Sequence, residues 1–212
     1  MKFDRCKKLF SNYEKLQNLK ILICGIGGVG GYALDCLYRS GVQKITAIDF
    51  DTFEIHNQNR QIGSEFIGEK KTDVFKKLYP NIEIIDKKIS TEWVENFDFS
   101  KFDFIIDAID DIPAKISLII KNHKKIISSM GAAKRIDPTK IEVTSIWKTY
   151  NDPFAKVIRD RLKKAKFNKN FKVVFSSETP IKSEMGSFVA VTGTFGMTLC
   201  SEIIKMVEKN LK

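Results

Sequence analysis

The 212-residue chain has no Cys-x-x-Cys pair; Cys6, Cys24, Cys36 and Cys200 stand far apart. That argues against a structural zinc site. No apolar run reaches the roughly 18–20 residues a membrane-spanning helix needs. The opening Met1-Lys2-Phe3-Asp4-Arg5 lacks the layout of a secretory leader, so a reduced, cytoplasmic protein is expected. Internal repeats, low-complexity tracts and proline-rich linkers are missing as well, which points to one domain over residues 1–212. Acids are scarce: 26 Asp and Glu face 36 Lys and Arg, a formal net charge of +10. Such a balance favours an acidic partner, nucleic acid or polyphosphate. Apolar side chains are plentiful, at 43% with 16 Phe, and this excludes a disordered chain.

Periodicity then divides the chain. Phe3, Cys6, Phe10, Tyr13 and Leu16 share one helical face and predict an amphipathic helix over 3–16. Short apolar runs at 19–24, 44–49, 82–86, 102–107 and 124–128 read as buried strands. Helical segments fall between them at 28–38, 69–79, 90–97 and 114–123. This alternation predicts a doubly wound, mostly parallel Rossmann-like α/β sheet covered on both faces. Beyond it come a strand at 141–147, a helix from Asp152-Pro153 to about Ala165, a strand at 173–176 and a closing helix at 190–209. The expected result is a continuous sheet with a mixed or antiparallel C-terminal part. Residues 19–130 would form a nucleotide-binding half and 131–212 a substrate-binding half.

Gly25-Ile-Gly-Gly-Val-Gly30 joins the first strand to the first crossover helix. Glycines let backbone approach a phosphate there, and the helix N-terminus offers N–H donors. Asp49, ending the second strand, can accept hydrogen bonds from a ribose. Asn57, Arg60 and Lys71 follow, and a guanidinium with an ammonium suits a triphosphate better than a dinucleotide. Asp110 lies past the fourth strand, on the rim where ligands sit in open α/β sheets, and a carboxylate there can hold Mg²⁺. Each has a plainer reading: Lys71 as a solvated helix charge, Arg60 as a structural ion pair, Asp110 as a helix cap. Cys24, Cys36 and Cys200 read as core residues, and no cysteine is given a role.

Together Gly25-Ile-Gly-Gly-Val-Gly30, Ile48-Asp-Phe-Asp51, Asn57-Gln-Asn-Arg-Gln61, Gly68-Glu-Lys-Lys71 and Asp107-Ala-Ile-Asp110 resemble the ThiF/MoeB/HesA adenylating superfamily. The resemblance implies that Gly25, Gly27, Gly28, Gly30, Asp49 and Asp51 contact ATP. It further implies that Asn57, Arg60 and Lys71 hold phosphates and that Asp110 binds Mg²⁺, with Arg60, Lys71 and Asp110 catalytic. Asp111 stands where carrier-protein activators often have Asn. Arg135-Ile-Asp-Pro-Thr139, Lys148-Thr149, Asp152-Pro153, Arg159-Asp-Arg-Leu162 and Val174-Phe-Ser-Ser-Glu-Thr-Pro180 are similar to the tRNA threonylcarbamoyladenosine dehydratase family.

That resemblance implies an ATP-dependent enzyme that adenylates the threonyl carboxylate of threonylcarbamoyladenosine in tRNA and cyclises it. It also implies a homodimer, with an arginine near one N-terminus reaching the other subunit's ATP; Arg5 is the candidate. Sulfur-relay proteins are raised as partners, although Gly186-Ser187 stands where some relatives carry cysteine. Between Lys156 and Lys172 eight cations meet one acid, Asp160. Lys163, Lys164 and Lys166 in that stretch are candidates for tRNA contact, against the alternative of a solvated helix face. Two other functions stay open: activation of the C-terminus of a ubiquitin-like or sulfur-carrier protein, and an NAD-binding Rossmann module.

Overall fold

The computed structural model describes residues 2–182 and 184–209. Two short helices, α1 (Asp4–Leu9) and α2 (Tyr13–Asn18), precede β1 (Lys20–Cys24), α3 (Gly30–Arg39) and β2 (Lys44–Asp49). Then come α4 (Lys71–Leu78), β3 (Glu83–Asp86), α5 (Thr91–Asn96), β4 (Phe104–Asp107), α6 (Ile112–Asn122) and β5 (Ile126–Ser129). The chain finishes with β6 (Ile141–Ser145), α7 (Pro153–Lys164), β7 (Lys172–Ser176) and α8 (Val189–Lys209).

The seven strands of the described residues form one sheet in the order β3-β2-β1-β4-β5-β7-β6. Pairing is parallel except between β6 and β7, which run antiparallel in a register that sets Val143 opposite Val174. Because side chains alternate along a strand, β1 sends Ile21 and Ile23 to one face and Leu22 and Cys24 to the other. All four are buried. The first face packs with Leu34, Leu37, Phe75, Phe195 and Leu199 of α3, α4 and α8. The second packs with Ala114, Leu118, Ile158 and Leu162 of α6 and α7. Burial on both faces is why the strands read as unbroken apolar runs.

Two expectations need correction. The predicted helix over 3–16 is broken, because the carboxylate of Glu208 in α8 accepts from the backbone N–H groups of Ser11 and Asn12 at 3.1 and 3.0 Å. That carboxylate satisfies donors which a continuous helix would otherwise use, and α2 starts afresh at Tyr13. The expectation of unpaired, reduced cysteines also fails for one pair. Cys36 of α3 and Cys200 of α8 form a disulfide with Cα atoms 6.1 Å apart. Only Cys6 and Cys24 are free among the described residues, and Cys24 is the core residue expected. Burial, followed by the Asp107 charge, pushes the Cys24 thiol well up, so it stays protonated.

Candidate active site

The sheet order reverses between β1 and β4, and the crevice past their C-terminal ends opens there. Its first feature is the glycine loop. Gly25 donates to Ile48 O at 2.8 Å and has φ +86°, a left-handed backbone that glycine alone adopts cheaply. At Gly30 a Cβ would lie 1.8 Å from Gly25 O, so only glycine lets α3 start this close to the loop.

Asp49 ties this loop to the end of β2. Its Oδ2 accepts from Ile26 N–H at 2.8 Å, and its Oδ1 accepts from Phe50 and Asp51 N–H at 2.8 and 2.9 Å. A carboxylate has about four acceptor positions, so these three hydrogen bonds leave one. Asp49 therefore shapes the loop and also lines the crevice beside it.

A cavity of about 570 Å³ lies over these residues. Gly25, Gly27 and Gly28 line it, as do Asp49, Asp51, Asn57, Arg60, Lys71 and Asp110. Nine of the ten positions singled out for nucleotide binding thus converge. Gly30 alone stays outside the wall, packed beneath it.

The side chains differ in how free they are. Lys71 is 5% exposed, and its Nζ donates to Asp51 Oδ2 at 2.9 Å, so it is neither a solvated helix charge nor unpaired. Arg60 donates to His56 O at 2.7 Å and Asn59 Oδ1 at 2.8 Å, with no acidic partner among the described residues. The structural ion pair considered for it is not formed. Asn57, also 5% exposed, turns its side-chain oxygen to accept from Glu54 N–H at 3.0 Å. Its partnership stabilises the turn that presents Arg60.

Asp111, and not Asp110, caps α6: its Oδ1 accepts from Ala114 N–H at 2.9 Å. Asp110 is left exposed at the cavity rim. Among the described residues no group of three His, Cys, Asp or Glu side chains could enclose a metal. A Mg²⁺ ion would fit Asp110 in another way, since Mg²⁺ commonly takes one or two carboxylates and completes its shell with phosphate oxygens and water.

A second cavity of about 430 Å³ adjoins the first, and Val29, Ala108, Ile109 and Asp110 line both. Arg135 and Asp152 stand in its wall, buried and 3.6 Å apart. Asp152 Oδ1 accepts from Ala155 N–H at 3.0 Å to cap α7, and Oδ2 accepts from Gly131 N–H at 3.1 Å. Burial drives both charges towards neutrality, lowering the Arg135 pKa and raising that of Asp152.

Beneath the common wall lies a pair that sequence reasoning missed. Lys115 Nζ donates to Asp107 Oδ1 at 2.8 Å and to Ile109 O at 2.9 Å, while Ser128 Oγ donates to Asp107 Oδ2 at 2.6 Å. One signal was available: Lys115 lies on the buried face of α6 with Leu118, Ile119 and Asn122. A lysine on an apolar face calls for a buried partner. Gln61 was missed too; it lines the first cavity, and its Oε1 is buried with no hydrogen-bond partner among the described residues.

The remaining candidates lie elsewhere. Arg5 is exposed on α1 and lines neither cavity. Lys163 and Lys164 end α7 and Lys166 follows it, all exposed. Three other cations of that stretch are engaged: Lys156 with Asp160 at 3.5 Å, Arg159 with Thr149 O at 3.0 Å, and Lys172 with Glu202.

The ThiF family model matches residues 7–211. The Bacillus subtilis tRNA threonylcarbamoyladenosine dehydratase is 40% identical over 179 residues, covering 79% of this chain and 70% of that protein. The Haemophilus influenzae protein of the same name is 33% identical over 230 residues, covering 92% and 88%. The crystal structure of Escherichia coli tRNA threonylcarbamoyladenosine dehydratase, TcdA, in complex with ATP superposes with a TM-score of 0.92 at 30% identity, over 99% of this chain and 94% of that one. Because the family model matches almost the whole length and these relatives are 33–40% identical, the chain belongs to the ThiF family.

Proposed function

We propose that this chain is an ATP-dependent dehydratase that adenylates the threonyl carboxylate of threonylcarbamoyladenosine in tRNA and cyclises it. The observation carrying this reading is the convergence of the glycine loop, Arg60, Lys71 and Asp110 on one cavity. The names of the similar proteins supply the substrate. ATP provides the adenylyl group: the carboxylate displaces pyrophosphate to form a mixed anhydride, and a nucleophile of the same side chain then closes the ring and expels AMP.

The chain's residues do the positioning. Backbone N–H groups of the glycine loop face the phosphates. Arg60 and Lys71 neutralise charge on the departing pyrophosphate, an effect that matters most in a water-poor site. For Lys71 this requires exchanging Asp51 for phosphate. Asp110 would hold Mg²⁺ on the phosphates. No enzyme nucleophile is needed, because holding the two reacting ends of one side chain together supplies much of the rate. Residues 19–130 act on ATP in this scheme and 131–212 on the tRNA, in the cytoplasm.

A purified-protein assay tests the proposal. tRNA bearing threonylcarbamoyladenosine is incubated with ATP and Mg²⁺, then digested for mass spectrometry. Loss of one water from the modified nucleoside, with formation of AMP and pyrophosphate, is expected. ATP–pyrophosphate exchange stimulated only by a ubiquitin-like protein would replace the proposal with carrier activation.

A further inference from the structure

We infer that the second cavity holds the modified base itself, as a purine extruded from the tRNA loop. The inference rests on the dehydratase reading. It assigns the acceptor to the space between the end of β5 and the start of α7, and it follows from the shape, charge and placement of that space.

The lining comes first. Met130, Ala132, Ala133, Pro153, Phe154 and Met185 contribute apolar surface. Four charged residues complete the lining: Asp110, Lys134, Arg135 and Asp152. The last two face each other and are spent on the protein, Arg135 donating to Gly131 O at 3.0 Å and Glu178 O at 2.7 Å. An interior of this kind disfavours a phosphate, which needs uncompensated donors, and favours an uncharged heteroaromatic ring. Phe154 supplies an aromatic surface on which a base can stack. Lys115 Nζ lies 5.8 Å from its centroid.

Small residues keep the space open. At Gly131 a Cβ would stand 3.0 Å from Asp152 Oδ1 and 3.2 Å from Phe154 Cβ, and alanines follow at 132 and 133. The volume of about 430 Å³ falls within the range of small-molecule sites. A peptide tail is a poorer occupant. Extended peptides commonly add to an exposed strand edge, whereas β5 and β7 are paired on both sides.

Placement supplies the last argument. Asp110 belongs to the wall common to both cavities, so a carboxylate carried by the base meets the phosphates at the junction of the two. Pro153 and Phe154 open α7, whose far end carries Lys163 and Lys164. The helix can therefore hold the base at one end and the RNA backbone at the other. Extrusion costs least for a base already in a single-stranded loop.

Ala133→Phe and Phe154→Ala test this, with Phe154→Trp as the conservative control. Conversion of the modified tRNA and direct ATP binding are measured for each. Filling the cavity with A133F should lower kcat/KM for tRNA by about 10²-fold, comparable to the discrimination of a shaped pocket, with ATP affinity within about twofold. Loss of the stacking ring in F154A should raise the tRNA KM about tenfold, and F154W should restore it. The free threonylcarbamoyladenosine nucleoside should compete with tRNA for the wild-type enzyme and not for A133F.

Wild-type conversion of tRNA together with unchanged kinetics in both A133F and F154A would overturn the cavity assignment alone. Failure of the wild type to convert the tRNA would overturn the dehydratase reading and this inference with it. If A133F does not fold, F154A and F154W decide through the same KM readout.

Discussion

Lys115 and Asp107 form an ion pair whose two side chains are fully buried, 2.8 Å apart, directly under the wall common to the two cavities. Lys115 also holds Ile109 O, so the turn that presents Asp110 is fastened from inside the protein. The pair couples the sheet interior to the geometry of the rim.

Lys115→Met should therefore cost about 3–5 kcal/mol of stability, because it strands a buried carboxylate. Urea denaturation reads this directly. Replacing both partners, with Asp107→Asn and Lys115→Met together, should cost less than the two single changes summed. Additive losses would mean that the two groups do not depend on each other.

The phosphate contacts proposed for Arg60 and Lys71 make a sharper kinetic prediction. Arg60→Ala and Lys71→Ala should each slow substrate-stimulated ATP–pyrophosphate exchange by about 10²–10³-fold, the usual loss for one preorganised donor. Asp110→Ala should abolish turnover across a Mg²⁺ titration while leaving the denaturation midpoint near wild type, since its carboxylate is exposed. Exchange at the wild-type rate in any of the three removes that residue from the mechanism.

The disulfide ties α3, which starts at the glycine loop, to α8 across 164 residues of sequence. Cross-links closing long loops commonly contribute about 2–5 kcal/mol. Cys36→Ser should lower the denaturation midpoint accordingly, and a dithiol reductant should do the same to the wild type. A midpoint insensitive to reductant would show that the bond contributes nothing to stability in solution.

Charge reversal at Lys163, Lys164 and Lys166 should weaken tRNA binding and flatten its dependence on salt, because fewer counterions are released. ATP affinity should not change, as none of the three lines the ATP cavity. Filter binding at several salt concentrations checks both statements. Equal slopes for variant and wild type would leave these lysines as a solvated helix end.

Some of this was legible in residues alone, for local reasons. A parallel strand buried on both faces is an apolar run, and β1, β2 and β4 were readable as such. The loop from Gly25 to Gly30 announces itself because its backbone tolerates little else. Asp152-Pro153 predicted the start of α7, and Asp152 does cap it. In each case the information lies within a few residues of the feature it specifies.

Tertiary structure decided what depends on distant segments meeting. Glu208 interrupts the N-terminal helix from the far end of the chain. Cys36 meets Cys200 only because α3 and α8 pack together, and Lys71 meets Asp51 only because α4 folds back over the end of β2. Whether Asp110 or Asp111 capped α6 turned on the backbone direction at one turn. Periodicity reports which face of an element is buried; it carries no information about which element covers that face, and the second cavity exists only between elements brought together in that way.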